Sequence, residues 1–145
     1  MVRRDYFLKM IEEAGYALAR ILGLRKEGRY EEAFDLINDT LKSYFPFDRE
    51  LVHHTSPDDL GEFLVHEHKL TEEHLALLAD VLRAEGDIWY ARGEWENANS
   101  SLRRALALIQ YLDNIHPEEY SFDRANKLAE IKAKLKGETP PATDI

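Results

Sequence analysis

The chain has 145 residues, 44% of them apolar and 32% charged, and no cysteine. That length allows one domain with its own core, and the absence of thiols excludes disulfides, thiolate catalysis and cysteine-ligated zinc. Nineteen basic side chains against 28 acidic ones leave a net charge of −9, a field that repels polyanions, so neither nucleic acid nor an anionic membrane is an expected partner.

The first predicted element is an amphipathic helix from about Asp5 to Lys26. Phe7, Ile11, Ala14, Leu18 and Ile21 recur at steps of three and four, and Leu8 and Leu22 widen the stripe. Glu12 and Glu13 interrupt it too early for a signal peptide or a membrane span, so cytoplasmic residence is expected. Gly28 breaks the helix. A second helix starts near Tyr30, with Ala33, Phe34, Ile37, Leu41 and Tyr44 on one side, and Pro46 ends it.

The middle is less regular. Ser56-Pro57-Asp58-Asp59 reads as a helix start, with serine as the cap, proline at the first helical position and acids at the positive end of the dipole. A short helix through Leu60, Phe63 and Leu64 follows. Thr71-Glu72-Glu73 starts a longer one, with Leu75, Leu78, Leu82 and Ile88 inward, which Gly93 breaks. The next runs from about Trp95 to Leu112, burying Ala98, Leu102, Ala105, Leu106 and Ile109, and Pro117 bounds it. A last helix from about Phe122 to Lys136 turns Ala125, Leu128, Ile131 and Leu135 inward and stops at Gly137. The expectation is a single all-α domain of about six helices over residues 1–137. The tail 138–145, with two adjacent prolines and no periodicity, is expected to be disordered.

Two stretches repeat. Gly28, Tyr30 and Ala33 have the same spacing as Gly93, Trp95 and Ala98, and beyond them Ile37 matches Leu102 and Leu41 matches Leu106. Each glycine permits a left-handed turn between antiparallel helices, Tyr30 and Trp95 are expected to wedge between the helices of each pair, and the alanines allow a close crossing. This pattern resembles the tetratricopeptide repeat. In the second unit Leu82, Gly86, Trp89, Gly93, Trp95, Ala98, Leu102 and Ala105 occupy that family's marker positions. The first unit departs from it, with Ile21 in place of the early glycine and Thr40 in place of the late alanine. Gly61 and Phe63 fall near where a middle unit would put its glycine and aromatic, although the Ser56 helix start places Gly61 inside a helix. Over nearly its full length the chain is also similar to a bacterial domain-of-unknown-function family of tetratricopeptide-like proteins, which share the opening pattern seen from Asp5 to Glu12.

The resemblance implies an α-α superhelix of two helical hairpins closed by a solvating cap helix after Pro117. It also implies a concave groove that holds peptides. Carried over to this chain, the groove positions are Asp80, Arg83, Asp87 and Tyr90 in the second unit and Gly15, Leu18, Leu22 and Arg25 in the first, with Lys26 alongside. Arg83 fits the basic slot that clamps a peptide carboxylate in some relatives, but Asp87 stands where an asparagine would be and opposes that use. The implied role is a non-catalytic protein- or peptide-binding module, with a homodimer through the apolar part of the groove as one form of it.

A different function class rests on histidine. His53, His54, His66, His68 and His74 lie in one short segment beside Glu62, Glu67, Glu72 and Glu73, and imidazole with carboxylate suits a transition metal. The spacing lacks an i, i+4 histidine pair, and solvated surface histidines are the plainer reading, with His66, His68 and His74 as the residual metal candidates. Arg49 and His54 have the Arg-x4-His spacing of some helical ribonucleases of the HEPN type, a spacing common by chance. No cofactor is expected, and no carboxylate pair is identified as catalytic.

Overall fold

Among the described residues, glycine turns and capping side chains divide the chain into seven helices. The computed structural model describes residues 2–45, 47–118 and 121–137, and the side chains of all of these except 2–5 and 7. The helices are α1 (Val2–Lys26), α2 (Tyr30–Tyr44), α3 (Arg49–His54), α4 (Pro57–His68), α5 (Glu72–Ala91), α6 (Trp95–Ile115) and α7 (Phe122–Leu135). Among the described residues there is no strand, so the protein is all-α. Phe7 as an inward side chain, Pro46 as a terminator and the tail 138–145 fall outside what is described.

The two repeated turns are alike in atomic detail. Gly28 and Gly93 have φ of 76° and 75°, the left-handed region open to glycine without steric cost. In both, the residue after the glycine bonds back five positions, Arg29 N–H to Leu24 O at 2.9 Å and Glu94 N–H to Trp89 O at 3.0 Å, and so satisfies a free carbonyl at the helix end. Gly137 has the same conformation at the end of α7, with φ 77°. The hairpins α1–α2 and α5–α6 follow from these turns. Ala33 and Ala98 are fully covered, and a Cβ added at Gly86 would lie 2.6 Å from Leu102 Cγ, so α5 and α6 cross closely because position 86 has no side chain.

Helix α1 packs on α5, and α2 packs behind both of them. Trp89 of α5 stacks on Phe34 of α2 with ring centroids 4.4 Å apart, which is the packing role expected of that indole. Helix α7 packs on α6, and its long side chains reach α5: Lys127 meets Asp80, Glu130 meets Arg83 and Lys134 meets Asp87. The constant offset between these partners makes α7 parallel to α5. One core runs through all of this, from Ala14 and Ile21 to Leu102 and Ile131.

Two expectations need correction. A seventh helix, α3, fills what was read as an irregular link, capped by Asp48, whose carboxylate accepts from Leu51 N–H at 3.1 Å. Gly61 lies where the Ser56 helix start put it, away from any turn. It lies inside α4, where a Cβ would meet the Tyr111 ring at 2.6 Å, and it lets α4 lie against α6. Trp95 does not wedge between α5 and α6. It is 57% exposed and touches the edge of Tyr90 at 4.9 Å, whereas Tyr30 is half-buried against the core. The helices packed on the two hairpins also differ in sequence at one slot. Over the first hairpin α5 carries Trp89, four residues before its glycine, and at the same distance before Gly137 α7 carries only Ala133.

Candidate functional site

Helices α1, α5 and α7 enclose a groove of about 310 Å³ lined by Leu18, Leu22, Arg25, Asp80, Arg83, Ala84, Asp87 and Lys127. Periodicity puts them there. Leu18, Leu22 and Arg25 share one face of α1, and Asp80, Arg83, Ala84 and Asp87 share one face of α5. Of the expected groove residues, Arg25, Asp80, Arg83 and Asp87 come together with Leu18 and Leu22. Lys26 is exposed and lies outside the lining. Tyr90 is also outside it: its ring packs on Trp95 and lies 5.6 Å from the Lys134 ammonium.

The charges in the groove are paired with one another. Asp87, 7% exposed, accepts from Arg25 at 2.8 Å and from Lys134, with Arg83 Nε at 4.0 Å. Arg83 also bonds Glu130, and Lys127 bonds Asp80 at 2.9 Å and Asp123 at 3.2 Å. Burial alone would push the Lys127 ammonium down, but the Asp80 bond and charge, joined by Asp123, outweigh it and raise it above the ordinary lysine value. Asp87 is thus held by two cations and is not a free anion facing an incoming carboxylate. The whole third wall was missed in the sequence because α7 reads as a solvating cap. Its signal was the spacing 127, 130 and 134, which repeats 80, 83 and 87 with opposite charge at each step.

A second polar cluster lies on the other side of α5. Glu85, 1% exposed, bonds Arg49, His53 Nε2 at 2.9 Å and Ser101 Oγ at 2.7 Å. His53 Nδ1 lies 2.8 Å from Ser100 Oγ. Arg104, 9% exposed, donates to the backbone carbonyls of Val52, His53 and Thr55 and to Ser100 Oγ. Burial pushes the Glu85 carboxyl up, but the His53 bond and the Arg49 charge outweigh it and hold the group below the usual carboxylate range. Burial alone lowers Arg104. A serine, a histidine and a glutamate in sequence contact invite comparison with a hydrolytic triad. Here Ser100 Oγ is also engaged by Arg104, and both glutamate oxygens are taken. The cluster fastens α3 and its C-terminal carbonyls onto α5 and α6.

The remaining histidines disperse. His54 and His66 are exposed, and His66 Nε2 is 3.8 Å from Glu62 on its own helix. His68 fits edge-on against both Phe47 and Phe63. His74 is buried against Phe45, and burial lowers its pKa despite the nearby Glu73. Arg49 turns to Glu85 and not towards His54. Among the described residues, no three His, Asp or Glu side chains converge to hold a metal ion, and no helix is long and apolar enough to cross a membrane. Set beside family models, curated proteins and solved structures, the chain matches none of them.

Proposed function

We propose that the chain is a non-catalytic interaction module of the tetratricopeptide type, holding a protein segment in the groove between α1, α5 and α7. One observation carries this reading: four groove positions carried over from the resemblance, Arg25, Asp80, Arg83 and Asp87, meet around a single cavity with Leu18 and Leu22. The two identical glycine turns and the glycine-permitted crossing of α5 over α6 support the repeat architecture behind it.

The physical character of the groove sets what it would bind. Its cations and anions satisfy one another, so its floor is close to neutral and offers no unpaired charge to capture a carboxylate. Leu22, 40% exposed, and the half-buried Leu18 supply the apolar contact. A segment with apolar anchors, placed by hydrogen bonds to the paired Asp and Arg groups at the rim, fits this surface better than a strongly charged one. Such sites draw their affinity from a few desolvated anchors, and Leu22 is the natural one here.

The test is photo-crosslinking in cells with a benzophenone amino acid at Leu22, compared with the same group at exposed His66. The expected outcome is a covalent protein adduct at position 22 and none at 66. Equal adduct formation at both positions, or none at 22, would refute the groove.

A further inference from the structure

Helix α1 is apolar on two faces. Ala14, Ile21 and Leu24 face the core. A second stripe, Leu8, Ile11, Gly15, Leu18 and Leu22, repeats at steps of three and four on the flank next to it, where Leu18 still packs against the core. Leu8 is 51% exposed and Leu22 40%, and a Cβ at Gly15 would meet nothing within 4 Å. From Leu8 to Leu22 the stripe is about 21 Å long at 1.5 Å per residue. A single helix that is amphipathic towards one core does not need it.

The charges beside the stripe choose its occupant. Glu12, Ala19 and Lys26 run along its free edge, seven residues apart. Arg25, next to Lys26, is already held by Asp87, whereas Lys26 has no ion pair among the described residues. Among the described residues, Glu12 accepts only from Tyr16 of its own helix, at 3.3 Å. Because the acid and the base are equally far from Ala19, an antiparallel copy of α1 centred on Ala19 places Glu12 of each chain against Lys26 of the other. The same register lays each Leu22 across Tyr16 of its neighbour, beside Gly15, where the missing side chain leaves room. A parallel copy would set Glu12 against Glu12 and Lys26 against Lys26, and like charges at close range are destabilising.

We infer that the partner at this face is a second copy of the chain, joined through α1 and α1 antiparallel about Ala19, with Leu18 and Leu22 as the apolar centre. This rests on the groove reading above and names its occupant. Both copies present the same patch, as a twofold contact requires, and the two Glu12–Lys26 pairs fix direction more than they add affinity.

Sedimentation equilibrium of the full chain tests this. The wild type is expected to be a dimer and Leu22→Asp a monomer, with unchanged helicity by circular dichroism. Glu12→Lys alone and Lys26→Glu alone should each weaken the dimer by roughly tenfold, since symmetry doubles each repulsion. Combining the two in one chain should restore it, because the reversed pair is again complementary only in the antiparallel register. A wild type that remains monomeric up to about 1 mM, or a combined variant no tighter than the single ones, overturns the inference. The groove reading fails separately: a position-22 adduct whose mass is not twice that of the chain removes the second copy but keeps the groove, whereas no adduct removes both.

Discussion

Two polar clusters flank α5, one on each side, and they use charge in opposite ways. Around Glu85 the carboxylate and the Arg104 guanidinium are buried and each is held by several partners: the carboxylate by Arg49, His53 and Ser101, and the guanidinium by three backbone carbonyls. Along the groove the same residue types form a ladder from α5 to α7 whose members, apart from Asp87, keep roughly a fifth to a half of their side chains in water. Breaking a buried pair strands a charge where nothing can solvate it. Breaking a half-exposed pair lets water replace the partner, at small cost. The Glu85 side therefore holds a fixed shape, and the groove side can exchange its partners for water or other polar groups.

The sharpest way to break this comparison is Glu85→Ala. It leaves His53 and Arg49 without their common anion and should cost about 3 kcal/mol, the low end of the range because Arg49 stays about a third open to water. Chemical denaturation would measure it, and a loss no larger than that of a surface substitution would mean the cluster is not a clasp. Acid tests the same group. Since the folded pKa of Glu85 lies below the unfolded one, its contribution is complete above the ordinary carboxylate value of 4.5 and disappears as pH falls through the lowered folded value. Glu85→Gln should remove that part of the acid sensitivity and leave stability at neutral pH partly intact.

Steric contrast gives the next effect. Gly86→Ala drives a methyl group to 2.6 Å from Leu102 Cγ and should cost about 1–3 kcal/mol, even though alanine is the better helix former. Gly23→Ala, in α1 with nothing within 4 Å of the new methyl, should instead stabilise by up to about 1 kcal/mol. Thermal melts of the two variants should move in opposite directions. If both rise, the crossing of α5 over α6 is looser than described.

These two sides were not equally legible in the sequence. The long helices announced themselves through apolar spacing and glycine punctuation, and the face carrying Arg25, Asp80, Arg83 and Asp87 followed from the repeat register. Helix α3 has only six residues, too few for a period to show, and its one signal was Asp48 three positions before Leu51. Glu85 sits between Ala84 and Gly86 on a helix most of whose buried residues are apolar, and its partners lie 32 and 36 positions upstream and 16 downstream. Such a pairing depends on how α3 lands on α6, which no local pattern encodes. Trp95 misled for a related reason: a marker residue records a slot in a sequence pattern, but its burial depends on what packs over it, and here its ring meets only the edge of Tyr90 among the described aromatic rings.

The smallest effect sharpens the comparison most, because it asks whether the ladder is as replaceable as its exposure implies. Lys127 is the best-paired member on α7, bonded to Asp80 and Asp123 with 27% of its side chain exposed. Lys127→Met keeps the length of the stem against Leu18 and α5 while removing the charge, so the measured loss is electrostatic. It should be under about 1 kcal/mol in dilute buffer and should fall towards zero in about 1 M salt, where the screening length shrinks to roughly 3 Å. The Glu85→Ala loss should change little over the same range, because counterions cannot enter a site that water barely reaches. A Lys127→Met loss that matched Glu85→Ala and resisted salt would make α7 a fixed wall. The groove would then have no charges free to change partners, and binding there would depend on Leu18 and Leu22 alone.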